Sequence, residues 1–297
     1  MSTALAVSVA AVGIRRYANL NACADHLAAL ATEAAAAGSV LLVLPELLGT
    51  QLLWTDVQAA ATDTAHVAAL YRRVLTPLLP AYREMLTSLA VSSRITIAGA
   101  SFWHERDGHG VNTGFWCRPD GTILTQDKLH PTRPERAIDT VGGNALMLGE
   151  IEGTKVGMLI CYDVQFPEAA RVLVDAGAEV LLIPSLTDAR GYWRVRHCAH
   201  ARAIENQMFV CVAPLLGNLG IPLDRPVQCH GAALIACPID NRFEIEDGTL
   251  AEQLYDAEGL LHAVLDLDML RRARANAEIM QLKDRRPELY ARLAREP

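Results

Sequence analysis

A layered α/β domain with mixed sheets is the fold class that the sequence predicts, and three observations predict it. Short apolar strands alternate with helical stretches early and late in the chain. Hairpin signals fill the middle. No low-complexity linker, internal repeat or break in composition divides the 297 residues. One domain over residues 1–297 is therefore expected, with a core from about 4 to 270 and a tail from about 271 to 297.

The elements follow in order. Leu5 to Ile14 reads as a strand, and Asn19 or Asn21 caps an Ala-rich helix that runs through Ala37 and stops at Gly38. Val40 to Leu44 is a fully apolar strand followed at once by Pro45-Glu46. Thr62 or Asp63 opens a helical region to about Ser92, with a break or kink expected at Pro77 and Pro80. Arg94 to Ser101 and Val111 to Cys117 are strands; Pro119-Asp120-Gly121 turns the chain into Thr122 to Gln126, and LHPTRPER after Lys128 reads as a loop. Ala145 to Ile151 and Lys155 to Ile160 pair around Glu152-Gly153. A short helix ends near Ala176, Glu179 to Ile183 is a strand, Trp193 to Asn206 a helix and Met208 to Ala213 a strand. Gly217 to Val227 is a loop, Gly231 to Cys237 and Leu261 to Asp266 are strands, and Asp268 starts the last helix before the charged DRRPELY segment.

Composition excludes several classes. With 51% hydrophobic and 21% charged residues a sizeable core is available, and a net charge of −7 is the wrong sign for a nucleic-acid footprint. No uncharged apolar stretch is long enough to span a bilayer. The N-terminal apolar run precedes its Arg pair, the reverse of a signal peptide. The seven cysteines form no CxxC pair and several lie in apolar runs, which fits reduced thiols in the cytoplasm. Gly142-Gly143 lacks the surroundings of a phosphate-binding loop, and His197, Cys198 and His200 share a helix without a third ligand, so neither cofactor nor metal is expected.

The chemistry centres on KVGMLICYDVQFPEAAR, residues 155–171. Val156 to Ile160 is a buried strand, Phe166-Pro167-Glu168 opens a helix, and Cys161 stands at the turn between them. There a thiol faces a cleft beside the free amides of a helix start, which can donate to an oxyanion. A packed core cysteine is the alternative. Glu46 and Lys128 likewise follow strand ends, where ligands bind in open α/β sheets. Singly, each is better explained otherwise: Glu46 as a helix-start or surface acid, Lys128 as a solvated loop charge, Cys161 as a core thiol. Together, acid, cation and thiol are a complete set for acyl transfer, with Glu135 as a second carboxylate.

LPELLGT, QDKLHPTRPE and LICYDVQFPEAAR resemble the three signature segments of the nitrilase, or carbon–nitrogen hydrolase, superfamily, and the likeness extends to ARAIENQMFV and DRRPELY. The resemblance implies a four-layer αββα sandwich that usually pairs into a homodimer or larger homo-oligomer. It implies Glu46 as general base, Lys128 as catalytic lysine, Cys161 as nucleophile, Glu135 as the second glutamate and the Tyr162 amide as an oxyanion donor. The branch often fused to an acetyltransferase module shares the TDARGYWRVRHCAHARAIEN run; no such module fits in this chain. Ala232 and Ala233 stand where the family commonly has a serine.

The expected function is thiol-dependent hydrolysis of a small aliphatic amide or carbamoyl compound through a Cys161 thioester. Tyr162-Asp163 after the cysteine resembles amidase branches, whereas nitrilases usually carry Trp-Glu there. A nitrilase or N-acyltransferase on the same scaffold, or a non-catalytic binding member, are the alternatives. Trp54, Gln165 and Trp193 are candidates for substrate contact, with Trp103 and Tyr162 beside them, and Arg202 and Glu205 for a structural ion pair.

Overall fold

The computed structural model describes residues 3–56, 63–220 and 227–295. Its centre is strand β1 (Ala4–Gly13), which is apolar on both faces. Leu5, Val7, Val9 and Ala11 enter one core cluster, while Ala10 and Val12 enter the other. Strand β2 (Leu41–Leu44) divides the same way: Leu41 and Val43 face one side, Leu42 and Leu44 the other. Side chains alternate along a strand, so a continuous apolar run means a strand covered on both faces.

Between them α1 (Leu20–Ala36) is capped by Asn19, whose side chain accepts the Ala22 N–H at 2.9 Å. The next elements are α2 (Thr64–Ser93), β3 (Thr96–Arg106), β4 (His109–Cys117) and β5 (Ile123–Asp127). A short α3 (Arg133–Ala137), β6 (Leu148–Ile151), β7 (Thr154–Met158), α4 (Pro167–Asp175) and β8 (Val180–Leu186) follow. The chain continues through α5 (Ala189–Asn206), β9 (Phe209–Asn218), β10 (Gln228–Cys229), β11 (Leu234–Ala236) and β12 (Thr249–Glu252). It closes with β13 (Gly259–Asp266), α6 (Leu267–Asn276) and α7 (Pro287–Leu293).

The first sheet has the order β5-β4-β3-β2-β1-β13, parallel only at β3-β2-β1. The second runs β6-β7-β8-β9-β11-β12, parallel at β7-β8-β9. Val12 and Gly13 pair with Leu215 and Leu216, which joins the sheets at one corner. Helices α1 and α2 cover the first sheet and α4 and α5 the second, with a continuous apolar core between the sheets. The four-layer αββα sandwich is thus present. Ala232 and Ala233 are both buried, and Ala233 packs in that inner core.

Several expectations are corrected. Helix α2 passes through Pro77 and Pro80 without ending. Both prolines are exposed, so carbonyls that lose a donor there face water. Val67, Tyr71 and Val74 before them and Tyr82, Leu86 and Leu89 after them bury one continuous face, and this packing outweighs the loss. Asp63 is its N-cap, accepting the His66 N–H; Thr62 lies outside the described residues, as do 221–226 of the expected loop. Strand β3 reaches Arg106 and turns into β4 through Asp107-Gly108, both at positive φ (53° and 84°) as a two-residue hairpin turn requires. Helix α5 starts four residues before Trp193, because Asp188 caps it through the Gly191 N–H at 2.6 Å. LHPTRPER contains α3, opened by a Thr132/Glu135 capping box.

Gly99 shows how tightly the sheet is built beside the site. It sits at φ 92° where β3 shifts register against β4, and a Cβ there would lie 2.1 Å from the Leu44 carbonyl oxygen. Gly99→Ala should therefore lower stability by about 2 kcal/mol or more, read from urea unfolding, because both the dihedral and the contact must relax.

Candidate active site

Three strand ends converge. Glu46 follows β2, Lys128 follows β5, and Cys161 lies beyond β7 next to Ser185 and Leu186 at the end of β8. All of these side chains are buried, Glu46 and Lys128 to 1% and 2% exposure. A buried charge persists only with partners, and each has them.

Lys128 Nζ donates to Glu46 Oε1 and to Glu135 Oε2, each at 2.7 Å. Glu46 Oε2 accepts the Leu186 N–H at 2.9 Å. Glu135 Oε2 also accepts the Thr132 N–H at 2.8 Å and its hydroxyl at 2.7 Å, so the capping box that starts α3 aims Glu135 at the lysine. Behind Glu46, Ser101 holds the flanking backbone: its N–H donates to the Pro45 carbonyl at 3.3 Å and its Oγ accepts the Leu47 N–H at 2.8 Å.

Cys161 takes φ 50°, a left-handed conformation uncommon for a residue with a side chain. The strained bend separates β7 from the 3-10 turn Cys161–Gln165 and brings Sγ within 3.5 Å of the Leu186 carbonyl, to which it donates. Asp163, fully buried, locks this turn to the lysine loop. Its carboxylate accepts the N–H groups of Ile160 (3.3 Å), Leu129 (3.1 Å) and His130 (2.7 Å), and His130 Nδ1 lies at 2.9 Å. The His130 ring stacks on Phe166 at 3.7 Å, and Tyr162 packs edge-on against the same ring at 5.0 Å. From the other side Arg202 donates to the Val164 carbonyl at 2.9 Å while paired with Glu205 at 2.6 Å, the expected ion pair with an added task.

The electrostatics divide the two glutamates. Burial pushes the Glu46 carboxyl above its ordinary value, and the charge of Lys128 only partly offsets it. Burial acts on Glu135 too, but the Lys128 charge and the donors of Lys128 and Thr132 win and hold it below its ordinary value. Burial works against the Lys128 ammonium, yet Glu46, Glu135 and Cys161 together raise it well above the ordinary lysine range. The Cys161 thiol is pushed up by burial and by the Glu46 charge, more than Lys128 draws it down. It therefore rests as a thiol, donating to the Leu186 carbonyl, while the Leu186 N–H holds Glu46 Oε2 on the same side. The two acids are thus driven apart, Glu46 the more basic and Glu135 the more firmly held anion.

Of the candidates for substrate contact, Tyr162 and Gln165 lie on the cysteine turn, both half-buried. Trp54 carries the Arg16 guanidinium 4.2 Å above its ring. Trp193, half exposed on α5, touches Tyr192 and His197. Trp103 is a core residue, donating to Thr140 Oγ1 at 2.9 Å. His200 is satisfied by Thr249 and the Arg196 carbonyl.

Sequence reasoning passed over Asn112, Ser101, Asp163 and Ser185. A polar residue inside an apolar strand, as in VNTGFWC, was the available signal for Asn112; Ser101 and Ser185 carried none.

The geometry can be set beside known proteins. The family model for carbon–nitrogen hydrolases matches residues 8–275. A probable hydrolase of Bacillus subtilis, YhcX, is 35% identical over 250 residues, which is 84% of this chain and 47% of that protein, so the chain spans about half the length of this relative. An omega-amidase of Danio rerio is 25% identical over 277 residues, 88% of each chain. Among solved structures, an amidase from Nesterenkonia sp. superposes with a TM-score of 0.72 at 22% identity, covering 99% of this chain and 98% of its own. With the family model spanning both sheets and every residue of the cluster, the chain belongs to the carbon–nitrogen hydrolase family.

Proposed function

We propose that this chain is an amidase that hydrolyses a small aliphatic amide or carbamoyl compound through a thioester on Cys161. The observation that carries the reading is the buried Lys128 ammonium bridging two glutamates of opposed basicity beside a thiol on a strained turn. The similarity to an omega-amidase supports the choice of amide.

Glu46 takes the thiol proton as Sγ attacks the carbonyl carbon, and the C=O electron pair moves onto oxygen. Two of the three Lys128 N–H groups are occupied by Glu46 and Glu135, which leaves one for that oxyanion beside the Tyr162 amide. As the intermediate collapses the C–N bond breaks, and the leaving nitrogen receives the proton from Glu46. Water then gives a proton to Glu46, attacks the thioester, and releases the carboxylic acid as Cys161 regains its proton. Glu135 holds Lys128 in place.

The test is ammonia release from a panel of small aliphatic amides, N-carbamoyl amines and nitriles. Turnover of an amide or carbamoyl compound is expected; turnover of nitriles alone, or of none, opposes the reading. Residues 1–297 act as one catalytic domain in this proposal, in the cytoplasm and as a homodimer or larger homo-oligomer. The seven free cysteines support a reducing compartment, and no described helix is long and apolar enough to cross a membrane. Val172 on α4 and Trp193 on α5, 57% and 50% exposed, support an assembly face on that helical layer.

A further inference from the structure

We infer that Asn112 is a positioning residue that commits one oxygen of Glu46 to the buried charge cluster and so leaves the other, Oε2, to take the Cys161 proton. This rests on the amidase reading above and concerns a residue to which that reading gives no part.

Asn112 lies in β4 and is 1% exposed. Its Nδ2 donates to Glu46 Oε1 at 3.0 Å and to Glu135 Oε1 at 3.2 Å. Lys128 Nζ bridges the same two carboxylates from the other side, so cation, amide and two acids form a closed ring. The backbone ties the ring together as well, since the Lys128 N–H donates to the Asn112 carbonyl at 2.8 Å. Both neighbours of the amide are acceptors only, which fixes the NH₂ toward them. Its Oδ1 has no partner, so the NH₂ group alone secures this side chain.

The consequence follows from counting donors. Glu46 Oε1 accepts from Lys128 and Asn112, and a carboxylate oxygen offers about two good acceptor directions. Oε2 accepts only the Leu186 N–H from the backbone and keeps one direction open. Leu186 brings the thiol and this carboxylate together, its carbonyl accepting the thiol and its N–H meeting Oε2, so Oε2 is the oxygen on the thiol's side with room for its proton. Asn112 also acts without charge. A second cation in its place would quench the base, and a third acid could not donate.

Among the described residues, the titratable groups near enough to feel the ring's charges include Tyr71 for Glu135, Cys229 for Glu46 and Asp163 for Lys128. Burial holds the Tyr71 hydroxyl protonated and pushes the Cys229 thiol up to about 12, so neither changes charge near neutrality. Burial raises Asp163 as well, but its carboxylate is held by backbone donors outside the ring. The acid limb of reactivity therefore reports Glu46.

The test needs no knowledge of the substrate: the rate of alkylation of Cys161 by iodoacetamide is followed against pH, with the site of modification read by mass spectrometry. In Asn112→Ala the acid limb should move up by about one pH unit, with roughly tenfold slower alkylation below it, because Glu46 loses a charge-assisted donor. Asn112→Asp preserves the volume and should be slower than Asn112→Ala at neutral pH, since a third carboxylate replaces the donor. A residue that merely filled space would leave the limb where it is. A wild-type acid limb retained in both variants, with thermal stability intact, overturns the inference and leaves the amidase reading standing. A wild-type Cys161 that is not alkylated at any pH overturns that reading itself.

Discussion

Cys161→Ala should abolish ammonia release from any amide that the wild-type chain hydrolyses, lowering kcat/KM by a factor of about 10⁴ or more. The size follows from the site's construction. In the proposed mechanism the thiol is the group whose proton Glu46 removes, and Tyr162, Asp163, Val164 and Gln165 on the same turn offer no thiol in its place. Lys128 and the turn amides would still bind an oxyanion, which sets the residual rate. Stability should change little. Alanine at φ 50° carries the same backbone strain as cysteine, and the one hydrogen bond lost is a long thiol contact of 3.5 Å. Circular dichroism melting within a few degrees of wild type, together with lost turnover, is the expected pair of results. Undiminished ammonia release would remove Cys161 from the mechanism.

Lys128→Met should have the second largest effect, and it should strike stability and activity together. The substitution keeps the stem and deletes the one cation that, among the described residues, contacts Glu46 and Glu135 in a site where all three groups are buried. Removing one partner of a buried ion pair costs about 3–5 kcal/mol, because the remaining charge has no solvent to return to. Here two carboxylates are left facing each other, so their folded-state pKa values rise above the unfolded ones. A group raised in this way contributes stability at low pH that is lost as pH rises. The variant should accordingly lie closer to wild type at pH 5 than at pH 8 when both are unfolded in urea. Equal destabilisation at the two pH values would show that the carboxylates do not carry the effect. Turnover should be lost at every pH where the variant is folded, since the oxyanion donor has gone.

The sequence was legible wherever a local rule governs. The apolar runs Val40 to Leu44 and Val156 to Ile160 read as strands covered on both sides, and they carry β2 (Leu41–Leu44) and the end of β7 (Thr154–Met158), which stops two residues before the run does. Asn19 and Asp63 cap helices by contacts three residues away, so the caps could be named in advance. Two local signals were present and passed over. Asp107-Gly108 marked a hairpin, and the Thr132-x-x-Glu135 spacing marked a helix start inside what reads as a proline-rich loop. The prolines of α2 show a local rule that failed, because burial on the opposite face of the helix outweighed it.

Glu46, Lys128 and Cys161 could be singled out from the sequence because each follows a strand end, and Glu135 because it follows the lysine loop. Their chemistry could not. That Glu46 is the stronger base and Glu135 the held anion depends on burial and on the Lys128 charge, and of the donors that meet Glu46, Lys128, Asn112 and Leu186 are close only in space. Asn112 is 66 residues from Glu46 in sequence, and Leu186 is 140 residues from it. By itself the sequence determined the order of the elements, the polar residues at the ends of the strands and the family to which the pattern belongs, since those rest on near-neighbour periodicity and capping. Only the tertiary structure decided which carboxyl is driven up and which is held down, because burial and the meeting of distant donors set a pKa, and neither is a property of any single stretch of chain.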